Sequence, residues 1–145
     1  MKIVLANLHQ LNINLKKRIH SNKMSSTQIL GKFQHSLVSF FDELIEMFPN
    51  EGEFVALRIL VKDRIPITQI IGYFETVLQN KEIMTSIERR DDQFFLTNVL
   101  FSKIGNVDLF KNLWTSSQLD QDDKKAIWNW VDAFMKLTKQ YVSSK

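Results

Sequence analysis

The chain has 145 residues, of which 44% are hydrophobic and 24% are charged, and its formal net charge is +3. This size and composition are typical of one folded globular domain and exclude a disordered chain. The absence of cysteine excludes disulfide bonds, zinc–thiolate sites and cysteine catalysis, and the four glycines and two prolines disfavour a turn-rich β sandwich.

The positive charge is unevenly distributed along the chain. Residues 1–24 contain five basic side chains and no acidic one, whereas the other 121 residues hold 14 basic and 16 acidic side chains. No run approaches the roughly 20 apolar residues that cross a bilayer, and polar residues from Asn7 to Asn14 argue against a signal peptide. The sequence therefore predicts an intracellular protein with a basic N-terminal arm, residues 1–26, ahead of a helical domain at residues 27–145.

The arm combines apolar and basic residues. Its apolar residues recur every three or four positions, as on one face of a helix: Val4, Leu8, Leu11, Leu15, Ile19. Ile13 lies between two of these leucines at alternating spacing, so a short strand is the other interpretation. The basic residues are clustered behind the leucines: Lys16, Lys17, Arg18, Lys23. An amphipathic segment that docks in a groove of another protein explains both features, and a solvated tail is the alternative.

The first half of the domain has three helical patterns. Apolar residues with helical spacing predict a helix from about Thr27 to Phe48, which Pro49 ends. Asn50 and Glu53 have the spacing of a capping box, which predicts a second helix that ends near Asp63. A third helix is expected to begin near Pro66 and to close at Asn80.

The second half begins with a weaker pattern and ends with a long helix. Residues 81–95 predict a further helical face and a short turn capped by Asp91 or Asp92, and residues 97–106 fit a strand or a helix. Residues 107–114 predict a short helix. The last helix begins after Asp120, which is an expected N-cap. We therefore predict an all-α fold, a compact irregular bundle of five to seven helices.

The last helix contains more aromatic surface than one narrow stripe can bury. Trp128 and Trp130 lie about 200° apart around a helix axis. Trp128 falls on the predicted buried stripe, whereas Trp130 and Leu137 fall off it. We predict that Trp130, Leu137 and Tyr73 lie at or near the surface and bind a partner, because aromatic residues are enriched at interfaces. The alternative is that a neighbouring helix or the arm covers Trp130.

Candidate catalytic and ligand-binding groups are few. His35 with Ser39, and Glu43 with Glu46, are spaced so that a helix can bring each pair together. The first pair suggests nucleophilic catalysis and the second acid–base catalysis, but exposed polar pairs explain both as well. The sequence contains no glycine-rich phosphate loop and no paired metal-ligating histidines. It therefore predicts no catalytic residue, no metal and no cofactor, and a protein that is not an enzyme.

From Phe41 onward, four segments show a familiar order of features. These are FFDELIEMFPNEGEF, IPITQIIGYFETVL, RRDDQFFL and LFKNLWTSSQLDQDDKKAIWNWVDAFMKLTKQY. Together they resemble a family of small, functionally uncharacterised helical proteins encoded by nucleocytoplasmic large DNA viruses. The likeness covers about residues 33–142 and leaves out the arm. It implies a viral protein that is present in the virion, and in the host cytoplasm during assembly.

The sequence and the resemblance together predict a viral structural protein, a minor capsid protein or other virion component that acts through protein–protein contacts. Its expected partners are other viral structural proteins, held by the arm and by the surface around Trp130. The same features are compatible with a homo-oligomer. The alternative is a protein that binds nucleic acid through the basic arm, whose cations would contact phosphates.

Overall fold

The computed structural model describes residues 24–94 and 107–145. Throughout these ranges the regular structure is helical, as predicted, and it comprises six α-helices, within the expected number. A π-helical turn, Leu60–Arg64, follows the second helix directly. The predictions for residues 1–23 and 95–106 lie outside the described residues. The α-helices are α1 (Ser26–Met47), α2 (Gly52–Ile59), α3 (Ile67–Gln79), α4 (Lys81–Glu88), α5 (Val107–Thr115) and α6 (Gln121–Ser144).

The two long helices begin at side-chain caps. Ser25 accepts a hydrogen bond from the Gln28 backbone N–H at 3.2 Å, and the Gln28 side chain bonds back to the Ser25 backbone. Asp120 caps α6 in the same way, with 2.7 Å between its Oδ1 and the Asp123 nitrogen. Each reciprocal pair satisfies backbone N–H groups that a helix start leaves without a partner. The predicted cap at Asp120 is therefore confirmed.

The prediction for the start of α2 was wrong. Glu51, not Asn50, is the N-cap residue, and its side chain makes no capping hydrogen bond. After α2 the chain widens into the π-helical turn, where the Ile65 N–H bonds to the Leu60 carbonyl at 2.8 Å. The Gln34 amide of α1 donates to the carbonyls of Val61 and Lys62, which supplies partners for carbonyls at the end of the helical segment.

Helix α6 lies at the centre of the bundle, packed against α1, α3 and α4. Phe134 is fully buried, and its ring centroid lies 5.5–6.0 Å from four other aromatic rings: Phe33, Phe40, Phe74 and Trp130. Edge-on and tilted ring contacts of this kind add to the free energy gained by burying the rings. The phenylalanines of α1 and α3 thus build one core with α6.

Helix α4 ends in a strained turn. Arg90 has φ of 51°, in the left-handed region that usually belongs to glycine. Its N–H bonds to the Ile87 carbonyl and the next N–H, of Asp91, bonds to the Ser86 carbonyl, which is a Schellman cap. The Arg90 guanidinium then reaches α6, where it donates to Asn129 at 3.1 Å and to Asp132 at 3.0 Å. These contacts offset part of the strain and tie α4 to α6.

We predict that Phe134→Ala destabilises the fold by about 3–5 kcal/mol, because it removes the ring that the other aromatic side chains surround. The control is Val142→Ala, since Val142 lies on the same helix and is 44% exposed. That change should cost less than about 0.5 kcal/mol. Equilibrium unfolding in urea measures both free energies. A Phe134→Ala cost as small as that of the control would contradict the central position of this ring.

We further predict that Arg90→Gly is more stable than Arg90→Ala by about 1 kcal/mol. Both changes remove the contacts to α6, but only glycine adopts the positive φ without strain. Thermal and urea unfolding of the two variants provide the comparison. Equal stability of the two would show that Arg90 is not strained in solution.

Candidate interaction surfaces

The structure tests the predicted surface positions on α6. The prediction that Leu137 lies at or near the surface is wrong. Leu137 is only 6% exposed and belongs to the core. At 100° per residue, the buried positions of α6 cover an arc of about 180°, with Leu137 and Trp130 near one edge and Trp128 at the other. A single narrow stripe was the wrong pattern, because α6 is covered by helices on more than one side.

Trp130 is half-buried, and its covering comes from α1. Its indole N–H donates a 2.6 Å hydrogen bond to Oε2 of Glu43. The ring stacks on Phe134 and lies 6.0 Å from the Phe40 ring. A neighbouring helix, α1, therefore covers part of Trp130, which was one of the alternatives to a partner contact. Its capacity to contact a partner is restricted to the part of the ring that remains exposed.

Trp128 contacts the other side of the bundle. It is 3% exposed, lies 5.6 Å from the Phe94 ring and meets the Trp114 ring edge-on at 6.0 Å. Lys124 lies over the outer part of this cluster, with its Nζ 5.3 Å from the Trp114 ring centroid. Trp128 and Trp130, which have one residue between them, thus contact different sides of the bundle.

Tyr73 is half-buried on α3, with its ring edge-on to Phe74 at 6.4 Å. Its position near the surface agrees with the prediction, and its partner-binding role stays a prediction. The arm residues given the same role all lie outside the described residues: Leu8, Leu11, Leu15, Lys16, Lys17, Arg18, Lys23. The partner-binding role of these residues stays a prediction.

The members of the two candidate catalytic pairs differ in their surroundings. Glu43 accepts the indole N–H of Trp130, whereas Glu46 points to solvent. His35 is exposed, and its side chain makes no hydrogen bond with Ser39 in the described structure. Among residues 24–94 and 107–145, no group of three or more histidine, aspartate or glutamate side chains is arranged to hold a metal ion. None of the described helices is both long enough and apolar enough to span a bilayer.

An exposed apolar strip on α2 escaped the sequence analysis. Val55 and Ile59 are each 46% exposed and lie four residues apart, on the side of α2 that faces away from α1. The buried side of the same helix carries Phe54 and Leu57. Val55 and Ile59 fall outside that buried stripe, so the helical spacing already contained the signal.

Two shallow grooves adjoin the N-terminal end of α2, and both include Glu51 and Gln118. One is lined on its other side by the end of α1 and the loop after it, including Met47 and Pro49. The other is lined by Glu53 and by one side of α5. Glu51, which lines both grooves, precedes Val55 of the apolar strip by four residues.

The described residues carry a net negative charge. They contain all 16 acidic side chains but only 13 basic ones, a net charge of −3. Five of the remaining basic side chains belong to the arm. The arm and the described domain therefore carry opposite net charges, and they attract each other at low ionic strength.

We predict that the Glu43–Trp130 hydrogen bond contributes about 1–2 kcal/mol, the usual range for a bond to a charged group that is partly exposed. A double-mutant cycle with Glu43→Ala and Trp130→Phe measures this coupling in urea unfolding. The matched control pairs Trp130→Phe with Glu46→Ala, because Glu46 lies one turn further along α1 and is exposed. A coupling equal to that of the control would contradict the bond.

Comparison with known proteins assigns this chain to no family. No protein-family model, no curated protein and no solved structure matches this chain. The resemblance to viral helical proteins therefore depends only on the aromatic and capping pattern of the four segments quoted above. What the chain does has to be argued from its exposed residues and its charge.

Proposed function

We propose that this chain is a non-enzymatic interaction protein that works through protein–protein contacts, with the N-terminal arm as its main contact. In the more specific form that the resemblance implies, it is a minor capsid protein or other component of a large DNA virus particle. It would then associate with other viral structural proteins in the host cytoplasm and stay in the virion.

One observation carries the proposal: α2 exposes Val55 and Ile59 next to each other, while Phe54 and Leu57 of the same helix are buried. Only three large apolar side chains stand exposed in the described part of the chain, and two of them share this strip. An adjacent apolar pair that stays in water is typical of a contact surface.

The size of the strip shows that it needs a second contact. A stable interface covers roughly 800 Å² on each partner, and two half-exposed aliphatic side chains supply only a small part of that area. The arm offers the additional surface, because it contains an apolar residue every three or four positions. Its five cations add an electrostatic attraction for an acidic partner.

The arm's charge also favours the second candidate, a nucleic-acid-binding protein. The salt dependence of binding distinguishes the two functions. Binding to phosphates releases counterions, so the affinity for nucleic acid falls steeply as the salt concentration rises. If all five arm cations contacted duplex DNA, a fourfold rise in salt would weaken binding roughly 500-fold. The arm lacks aromatic residues, which single-strand binders use to stack on bases.

For the protein-binding function, we expect the full chain to show no such salt-dependent binding to a labelled duplex between 50 and 200 mM salt. Fluorescence anisotropy measures it, with a chain lacking residues 1–24 as the control. Duplex binding that weakens roughly 500-fold and disappears with the arm would favour the nucleic-acid function instead.

For the virion component, we expect purified particles of the encoding virus to contain the chain at a fixed ratio to the major capsid protein. Deleting residues 1–24 should remove it from particles without removing it from infected cells. Quantitative mass spectrometry of particles and cell extracts measures both. Unchanged incorporation of the shortened chain would contradict a role for the arm, and absence of the full chain from particles would contradict the virion assignment.

A further inference from the structure

The strip on α2 has a direction and a charge at one end. Val55 and Ile59 lie along one face of α2, and Glu51, the N-cap residue, precedes Val55 by four residues. Glu51 therefore provides a negative charge at one end of the strip. A complementary segment would therefore place two apolar residues about one helical turn apart and a cation one turn beyond them.

The arm of this chain has that pattern. Leu11, Leu15 and Arg18 follow at intervals of four and three residues, and Lys16 and Lys17 lie beside Arg18. As a docked helix, antiparallel to α2, this segment sets Leu11 against Ile59 and Leu15 against Val55. The basic cluster then lies beside Glu51. Opposite charges and matching apolar spacing are the features that fix register in helix-to-helix docking.

The length of α1 favours this contact between two molecules over the same contact within one. Helix α1 is 22 residues long, so Ser26 and Met47 lie about 32 Å apart. Glu51 is held at the far end of α1, where its N–H bonds to the Phe48 carbonyl at 3.0 Å. Five residues lie between Arg18 and Met24, and fully extended this segment spans about 20 Å. This span is shorter than α1, which favours docking of the basic cluster on the Glu51 of another molecule.

We propose that a second copy of this chain supplies the occupant of the α2 strip, so that the arm of one copy docks on Glu51, Val55 and Ile59 of the next. This inference deepens the proposed function, since it names the partner of the same contact. The contact is heterologous: it joins two different surfaces and leaves an arm free at one end and a strip free at the other. Such contacts build open filaments or closed rings.

The test uses two variants that each lack one half of the contact. The double substitution Val55→Glu and Ile59→Glu keeps the arm and disrupts the strip. Deletion of residues 1–23 keeps the strip and removes the arm. Sedimentation velocity should show the full chain associating as its concentration rises. Each variant alone should stay monomeric, and an equimolar mixture of the two should form a one-to-one dimer that grows no further.

Two controls accompany the mixture. Val142→Glu places the same charge at an exposed valine outside the strip, and it should associate as the unaltered chain does. Reversing the basic cluster, with Lys16→Glu, Lys17→Glu and Arg18→Glu, should weaken association more than about tenfold. Circular dichroism and urea unfolding establish that the variants are folded, and the arm variants leave every described residue unchanged.

The outcomes separate this inference from the proposed function. A mixture of the two half-contact variants that stays monomeric overturns the inference, as does loss of association in Val142→Glu. If the full chain is monomeric at all concentrations but enters particles through its arm, the self-association is wrong and the proposed function holds. If the chain associates as described but is absent from particles, the inference holds and the virion component is wrong.

Discussion

The packing of α1 and α3 against α6 around Phe134 is the contact on which the rest of the structure depends. Phe134 is fully buried and is approached by aromatic rings from both helices. Because these rings fill the space on both sides of α6, that helix buries about half of its circumference. The position of Glu43 beside Trp130 and of Arg90 beside Asp132 follows from the same arrangement.

Much of the fold could be predicted because its signals are local. The cap at Asp120 and the limits of α1 depend on neighbouring residues, so the sequence contained them. The burial of Leu137 could not be predicted, because it requires knowing that helices cover α6 on more than one side. The π-helical turn Leu60–Arg64 was not predicted either, and the Gln34 side chain that bonds to its carbonyls is distant in sequence.

The candidate surface was partly contained in the sequence. The arm's charge and apolar spacing are properties of residues 1–26 alone. The exposure of Val55 and Ile59 was seen only in the structure, although both residues fall outside the helical spacing of the buried residues of α2. Trp130 looked like the better candidate because it is large, but its indole N–H and much of its ring are engaged by α1.

The opposite net charges of the arm and the described domain give a physical reason for self-association. Long-range attraction brings the two together, and the apolar match between the arm and α2 fixes the register. The length of α1 favours contact between two molecules, because the segment from Arg18 to Met24 is shorter than α1 even when fully extended.

The most direct test of this account is hydrogen–deuterium exchange of the full chain, measured at low and at high protein concentration. The account predicts that amides of residues 8–18 and 52–64 become more protected together as concentration rises, while those of α3 do not change. Protection of residues 52–64 that is the same at both concentrations would contradict it, because the α2 strip would then not be the surface that a second copy covers.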